Sequence, residues 1–126
     1  MAKSERPRGR GFAPNPFAID VERIGPVALI TIAGEFDASC ESALDSELDQ
    51  LLQEDVRQVV LDLRQVVSID SHGVRLVLKY EIRSRKDGFE YAVLPARGQV
   101  KRVFDTMGID RLITLMDDLS SLDQEP

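Results

Sequence analysis

The stretch Ile69-Asp70-Ser71-His72-Gly73 sets a carboxylate, a hydroxyl, an imidazole and a residue without a side chain next to one another. Two kinds of chemistry use such a set. Nucleophilic catalysis needs a base within hydrogen-bond reach of the Ser71 hydroxyl. Neighbouring positions on a helix point about 100° apart, so Asp70 and His72 do not face Ser71 as members of a triad. His72 is the only histidine in the chain, and no second imidazole can serve as base. The G-x-S-x-G elbow is incomplete, because Ile69 stands where its first glycine belongs. The second chemistry is phosphorylation of Ser71. A helix start offers unpaired N–H groups and the positive end of the dipole, and it tolerates a phosphate. The competing reading is that Asp70 or Ser71 is simply a helix cap.

Other chemistries lack their residues. There is no G-x-x-x-x-G-K-[ST] or G-x-G-x-x-G loop, and the close pair Gly9 and Gly11 is flanked by neither strand nor helix. With one cysteine, Cys40, and one histidine, no Cys/His metal cluster forms, and D-x-D-x-D-G spacing is absent. No cofactor or metal is expected. Cys40 reads as a small buried hydrophobe in a reducing compartment. The net charge of −6 argues against a direct nucleic-acid contact. No apolar run approaches the ~20 residues that span a bilayer, and the first residues lack a signal-peptide core. The expectation is a cytoplasmic protein without a membrane contact.

The elements that must position Ser71 follow from periodicity. The 126 residues suit one domain. Residues 1–16, with Lys3, Arg6, Arg8 and Arg10, read as a disordered basic tail, and residues 17–126 as the domain. Strands are expected over Phe17–Ile24 and Val27–Ile32, joined at Gly25-Pro26 as a hairpin. A helix follows from Ser39 to about Glu54, with Asp37 or Ser39 as its cap. A buried strand over Val56–Leu63 leads through a loop, Arg64–Ile69, into a helix from Asp70-Ser71 to about Lys86. Val74, Val77, Leu78 and Ile82 form the apolar stripe of that helix. A strand over Phe89–Leu94, a helix over Gln99–Met107 with Phe104 and Met107 in the core, a short strand over Leu112–Met116 and a helix from Asp117 to about Leu122 complete the order. The order ββαβαβαβα predicts an α/β fold: a mixed, mostly parallel sheet with an N-terminal antiparallel hairpin and crossover helices on its faces. Ser71 then lies near the carboxyl end of the sheet, where ligands and partners meet such folds.

Four segments in order resemble the STAS domain of the anti-sigma factor antagonist family. They are Gly34-Glu35-Phe36-Asp37, Val59-Val60-Leu61-Asp62-Leu63, Ile69-Asp70-Ser71-His72-Gly73, and Val100 through Ile109. The resemblance implies a binding protein and not an enzyme. In that family an anti-sigma factor that is also a serine kinase phosphorylates the serine after the aspartate, here Ser71. The unphosphorylated form binds the anti-sigma factor and frees the sigma factor, and a phosphatase resets the switch. Asp37 is placed near Ser71 by the same resemblance, or is only a cap. The partner surface implied comprises Asp37, Asp70, His72, Gly73, Arg75 and Lys79. Gly73 would let a partner backbone approach, and Arg75, Lys79, Arg83 and Lys86 share a helix face that is either a partner contact or solvated. The sequence departs from the family pattern in having His72 where a second Ser or Thr is usual and Arg75 where Gly is usual. Two alternatives stand beside this reading: a STAS scaffold or ligand-sensing module in which Ser71 only caps, and a receiver-like signalling domain built around Asp62. The receiver needs an acidic pair after the first strand and a lysine after the last, and neither is present.

Overall fold

The structure, a computed structural model, describes residues 17–95 and 97–116. The expectations for a tail over 1–16 and a helix from Asp117 lie outside them. The elements run β1 (Phe17–Ile24), β2 (Val27–Phe36), a 3-10 turn (Ala38–Cys40), α1 (Glu41–Leu52), β3 (Gln58–Ile69), α2 (Ser71–Asp87), β4 (Glu90–Leu94), α3 (Gly98–Met107) and a second 3-10 turn (Ile109–Arg111). The four strands form one sheet in the order β1-β2-β3-β4. The opening hairpin is antiparallel, and the β2–β3 and β3–β4 pairs are parallel. The mixed α/β architecture is the one the alternating sequence pattern predicts.

Side-chain alternation divides the sheet into two faces. Ile19, Ala28, Ile30, Ile32, Val59, Leu61, Leu63, Tyr91 and Val93 join the buried residues of all three helices in one cluster. The opposite face holds a smaller cluster, Val27, Leu29, Val60 and Leu94, with Ile24 and Met116 against it. Among the described residues the helices therefore bury their apolar stripes on one face of the sheet, where helices on both had been expected.

Three sequence expectations are corrected. The segment Arg64–Ile69 is strand, not loop: β3 continues beside β2 to the Phe36–Ile69 pair. The pairing shifts register between Thr31 and Ala33 and again between Gly34 and Glu35, each time with one extra residue on β3. Such bulges break the period-2 alternation that marks a strand. Gly34, with φ +97°, takes up the backbone turn at the second shift. The strand expected over Leu112–Met116 shrinks to a single bridge, Leu115 against Val93. Finally, Ile82 and Met107 leave the core, being 67% and 51% exposed. The buried line of α2 runs Gly73, Val77, Tyr80, Ser84, which puts Ile82 on the far side of the helix. Met107 is the last residue of α3 before the left-handed cap at Gly108.

The two outcomes on α2 can be compared directly in urea unfolding. Leu76, 2% exposed, should cost about 2–5 kcal/mol when truncated to Ala. Ile82→Ala should stay within about 0.5 kcal/mol of the parent.

Candidate functional site

Phe36 and Ile69 are register partners at the carboxyl ends of β2 and β3. The chain does the same thing after each. Asp37 and Asp70 are both extended, and each turns its carboxylate onto the first turn that follows. Asp37 Oδ1 accepts from the Ser39 N–H at 2.9 Å and from Ser39 Oγ at 2.6 Å. Asp70 Oδ1 accepts from the Gly73 N–H at 2.9 Å. The cap of α2 is therefore Asp70. Ser71 is the first residue inside the helix, is exposed, and plays no part in the cap. The structure so decides between the two capping residues left open by the sequence, and it brings Asp37 to the strand edge beside Asp70.

Gly73 is buried in the first turn of α2. A Cβ built there would overlap the Phe36 carbonyl oxygen and lie 2.7 Å from Ile69 Cγ1. The space that its missing side chain opens is thus filled by the chain's own strand ends, not left for a partner backbone. This corrects the expected role of Gly73: it holds α2 close to the sheet edge and so fixes where Ser71 sits.

His72, the next residue, turns toward α1, with Nε2 3.1 Å from Glu41 Oε1. Lys79 Nζ donates to Glu41 Oε2 at 2.8 Å and to both Asp45 oxygens at 3.1 and 3.0 Å. The Tyr80 hydroxyl donates to Asp45 Oδ1 at 2.8 Å, and Arg83 Nη2 donates to Asp49 Oδ1 at 2.6 Å. Lys79 and Arg83, offered by the sequence as partner contacts, thus already pair within the domain, and any partner must compete with α1 for them. Arg75 remains exposed. Glu41, Asp45 and Tyr80 were not singled out by sequence reasoning. The signal was there: Glu41, Asp45 and Asp49 recur every four residues, as do Lys79 and Arg83, and rows at that spacing share a helix face.

The electrostatics follow the contacts. The Lys79 ammonium, and after it the His72 ring, holds the Glu41 carboxyl below its ordinary range. Hydrogen bonding to Glu41 raises Lys79 in return. The Ser39 hydroxyl and then the Ser39 N–H lower Asp37, with a smaller contribution from His72. Burial pushes the Cys40 thiol up to about 11, with its Sγ 3.5 Å from the Glu35 carbonyl. Cys40 is a buried, neutral filler, as its sequence context suggested.

Asp62 is 3% exposed and mid-strand, closed into a pair with Arg64, whose Nε and Nη2 each donate to it at 3.0 Å. It presents no carboxylate at the strand's end, where a phospho-accepting receiver aspartate would have to be. The apolar space between α1 and the sheet, lined by Leu44, Leu48, Leu61 and Tyr80 among others, amounts to about 10 Å³, room for about one water. Among the described residues no group of three or more His, Cys, Asp or Glu is arranged to hold a metal ion, and no helix is long and apolar enough to cross a membrane.

The STAS domain family model matches residues 18–122. The "Anti-sigma F factor antagonist" of Paenibacillus polymyxa is 26% identical over 101 residues, 79% of this chain and 86% of that protein. The "Anti-sigma-F factor antagonist RsfB" of Mycobacterium tuberculosis is 28% identical over 110 residues, 85% of this chain and 87% of that protein. Among solved structures, the anti-sigma factor antagonist SpoIIAA in its unphosphorylated form gives a TM-score of 0.69 at 18% identity, over 85% of this chain and 95% of that one. The Bacillus SpoIIAA in its phosphorylated form gives 0.65 at 18% identity, over 85% and 98%. At such identities the likeness to solved structures establishes the fold.

Two outcomes follow from the paired caps and the close approach. Gly73→Val should destabilise the isolated domain by about 1–3 kcal/mol or more, because the overlap is with backbone and cannot relax cheaply; a lowered urea midpoint checks it. Asp37→Ala should cost about 1 kcal/mol at neutral pH through the lost cap. Because the folded chain lowers the Asp37 pKa from 3.8, this stabilisation is present above that value and is lost as pH falls through the folded-state pKa. The parent and Asp37→Ala unfolding midpoints should therefore converge in acid.

Proposed function

The chain belongs to the STAS domain family, and on that premise we propose that it is an anti-sigma factor antagonist switched by phosphorylation of Ser71. One observation carries this reading. Ser71 is exposed on the first turn of α2, and Asp70 relieves it of the capping duty. The names of the curated relatives support the class of function, and SpoIIAA is described in both unphosphorylated and phosphorylated forms. In this reading the unphosphorylated chain docks on an anti-sigma factor that is also an ATP-dependent serine kinase, and a sigma factor is released. A phosphatase restores Ser71. The chain itself binds and does not catalyse; it works in the cytoplasm, with no cofactor and no contact with nucleic acid or membrane. Asp37, Asp70, His72, Arg75 and Lys79 edge the docking surface, and Gly73 sets its height above the sheet.

The physics of the switch lies at the interface. Phosphate adds about −1.5 to −2 charge at neutral pH. Within the domain Asp70 repels it, while the start of α2 attracts it by about 0.3–1 kcal/mol. These terms nearly offset each other, so the fold is little changed. A dianion enclosed in a docked contact where the docking protein offers it no cation costs several kcal/mol.

A loss of about 3 kcal/mol is more than a hundredfold in affinity. Ser71→Asp, with one added charge, should therefore bind the cognate anti-sigma factor far more weakly than the parent in calorimetry, whereas Ser71→Ala should bind well and take no phosphate from ATP by intact mass. Parent-like binding by both variants, with the phosphate found on another residue, would discard the reading.

A further inference from the structure

The cations of α2 differ in what they already hold. Lys79 is engaged by Glu41 and Asp45, Arg83 by Asp49 and Asp87, and Arg85 by Glu81. Arg75 is exposed and, among the described residues, has no ion pair. It follows Ser71 by four positions on the same helix. At that spacing two Cβ atoms lie about 5–6 Å apart. Helical side chains lean toward the N-terminus, so a long residue at i+4 lies over residue i. A guanidinium also presents two parallel N–H donors that match two phosphate oxygens. The other nearby nitrogen base, the His72 ring, is turned to Glu41 on α1, and Lys79 lies a further turn away.

We propose that Arg75 is the intramolecular clamp for a phosphate on Ser71. The clamp deepens the Ser71 reading above, and the pair itself requires only that the phosphate be there. It answers the repulsion from Asp70. It also gives one modification two effects on the surface. The unphosphorylated chain exposes an unpaired arginine, available to a carboxylate on the docking protein. Phosphorylation adds a dianion and at the same stroke takes that arginine out of use. Ser71→Asp imitates only the first effect, because a carboxylate on a single methylene is shorter than a phosphoserine and reaches less far toward Arg75.

Phosphoserine encoded directly at position 71 of the full chain removes the need for a kinase. Its second ionisation, near pH 6 in an ordinary phosphoserine, is followed by ³¹P NMR in the parent, Arg75→Ala and Arg75→Lys backgrounds, with Lys86→Ala at the far end of α2 as control. A neighbouring cation favours the dianion and lowers its pKa. Arg75→Ala should raise it by about 0.5–1 unit, a three- to tenfold gain in proton affinity; Arg75→Lys should recover part of the difference and Lys86→Ala none. Coincident titrations of the parent and Arg75→Ala chains, both with unchanged circular dichroism, would overturn the clamp. Binding of the anti-sigma factor by the phosphorylated and unphosphorylated parent is measured separately. A clamp that fails while phosphate still abolishes binding leaves the Ser71 switch standing; a titration shift with unchanged binding keeps the clamp and removes the switch.

Discussion

Gly73 and the Phe36 carbonyl meet so closely that no side chain fits between them, and the geometry of the site descends from that contact. β2 and β3 are parallel and end in register at Phe36 and Ile69. The helix that follows β3 has to start at once and pass directly over the end of β2. A residue with a Cβ would lift its first turn from the sheet, and Ser71 with it. Asp70 can then reach the Gly73 N–H, and Asp37 can perform the matching task one strand away. Burial anchors the arrangement from beneath: Phe36 and Cys40 are both 0% exposed.

A second constraint keeps α2 from rotating about that contact. Acidic residues spaced by four on α1 meet basic residues spaced by four on α2, with the Tyr80 hydroxyl beneath them. Each such pair is half exposed and is worth little alone, in the range of about 0–1 kcal/mol. Their value is directional. They fix which face of α2 looks outward, and that face carries Ser71 and Arg75. His72 belongs to the same line of contacts, which gives a structural occupation to a residue that departs from the family pattern.

Much of this was legible in the sequence, and the remainder was not for identifiable reasons. The alternation of β and α segments, the antiparallel opening and the start of α2 at Asp70-Ser71 followed from periodicity and caps, with the choice of cap between the two left open. The end of β3 did not, because two bulges put exposed Gln65, Val67 and Ser68 in an order that no period-2 pattern predicts. The outward turn of Ile82 was missed because rows spaced by four drift around a helix, so a stripe begun at Val74 and Leu78 leaves the core by the third turn. Gly73 was flagged for the right property, its missing Cβ, but one sequence position cannot tell whether the neighbour it admits is internal or external. The α1–α2 contacts needed two matched rows to be read together, and each row alone reads as a solvated face.

The division of labour between Asp70 and Ser71 has a consequence for how such a chain can change over generations. One residue carries the helix and its neighbour carries the hydroxyl. Loss of the hydroxyl leaves the architecture in place, so inheritance can edit position 71 without rebuilding anything around it. Under the proposed switch, a descendant with alanine there would be locked in one state, and a descendant with an acidic residue would lean toward the other. Both would still fold. Had the serine itself been the cap, every such substitution at position 71 would have weakened the start of α2.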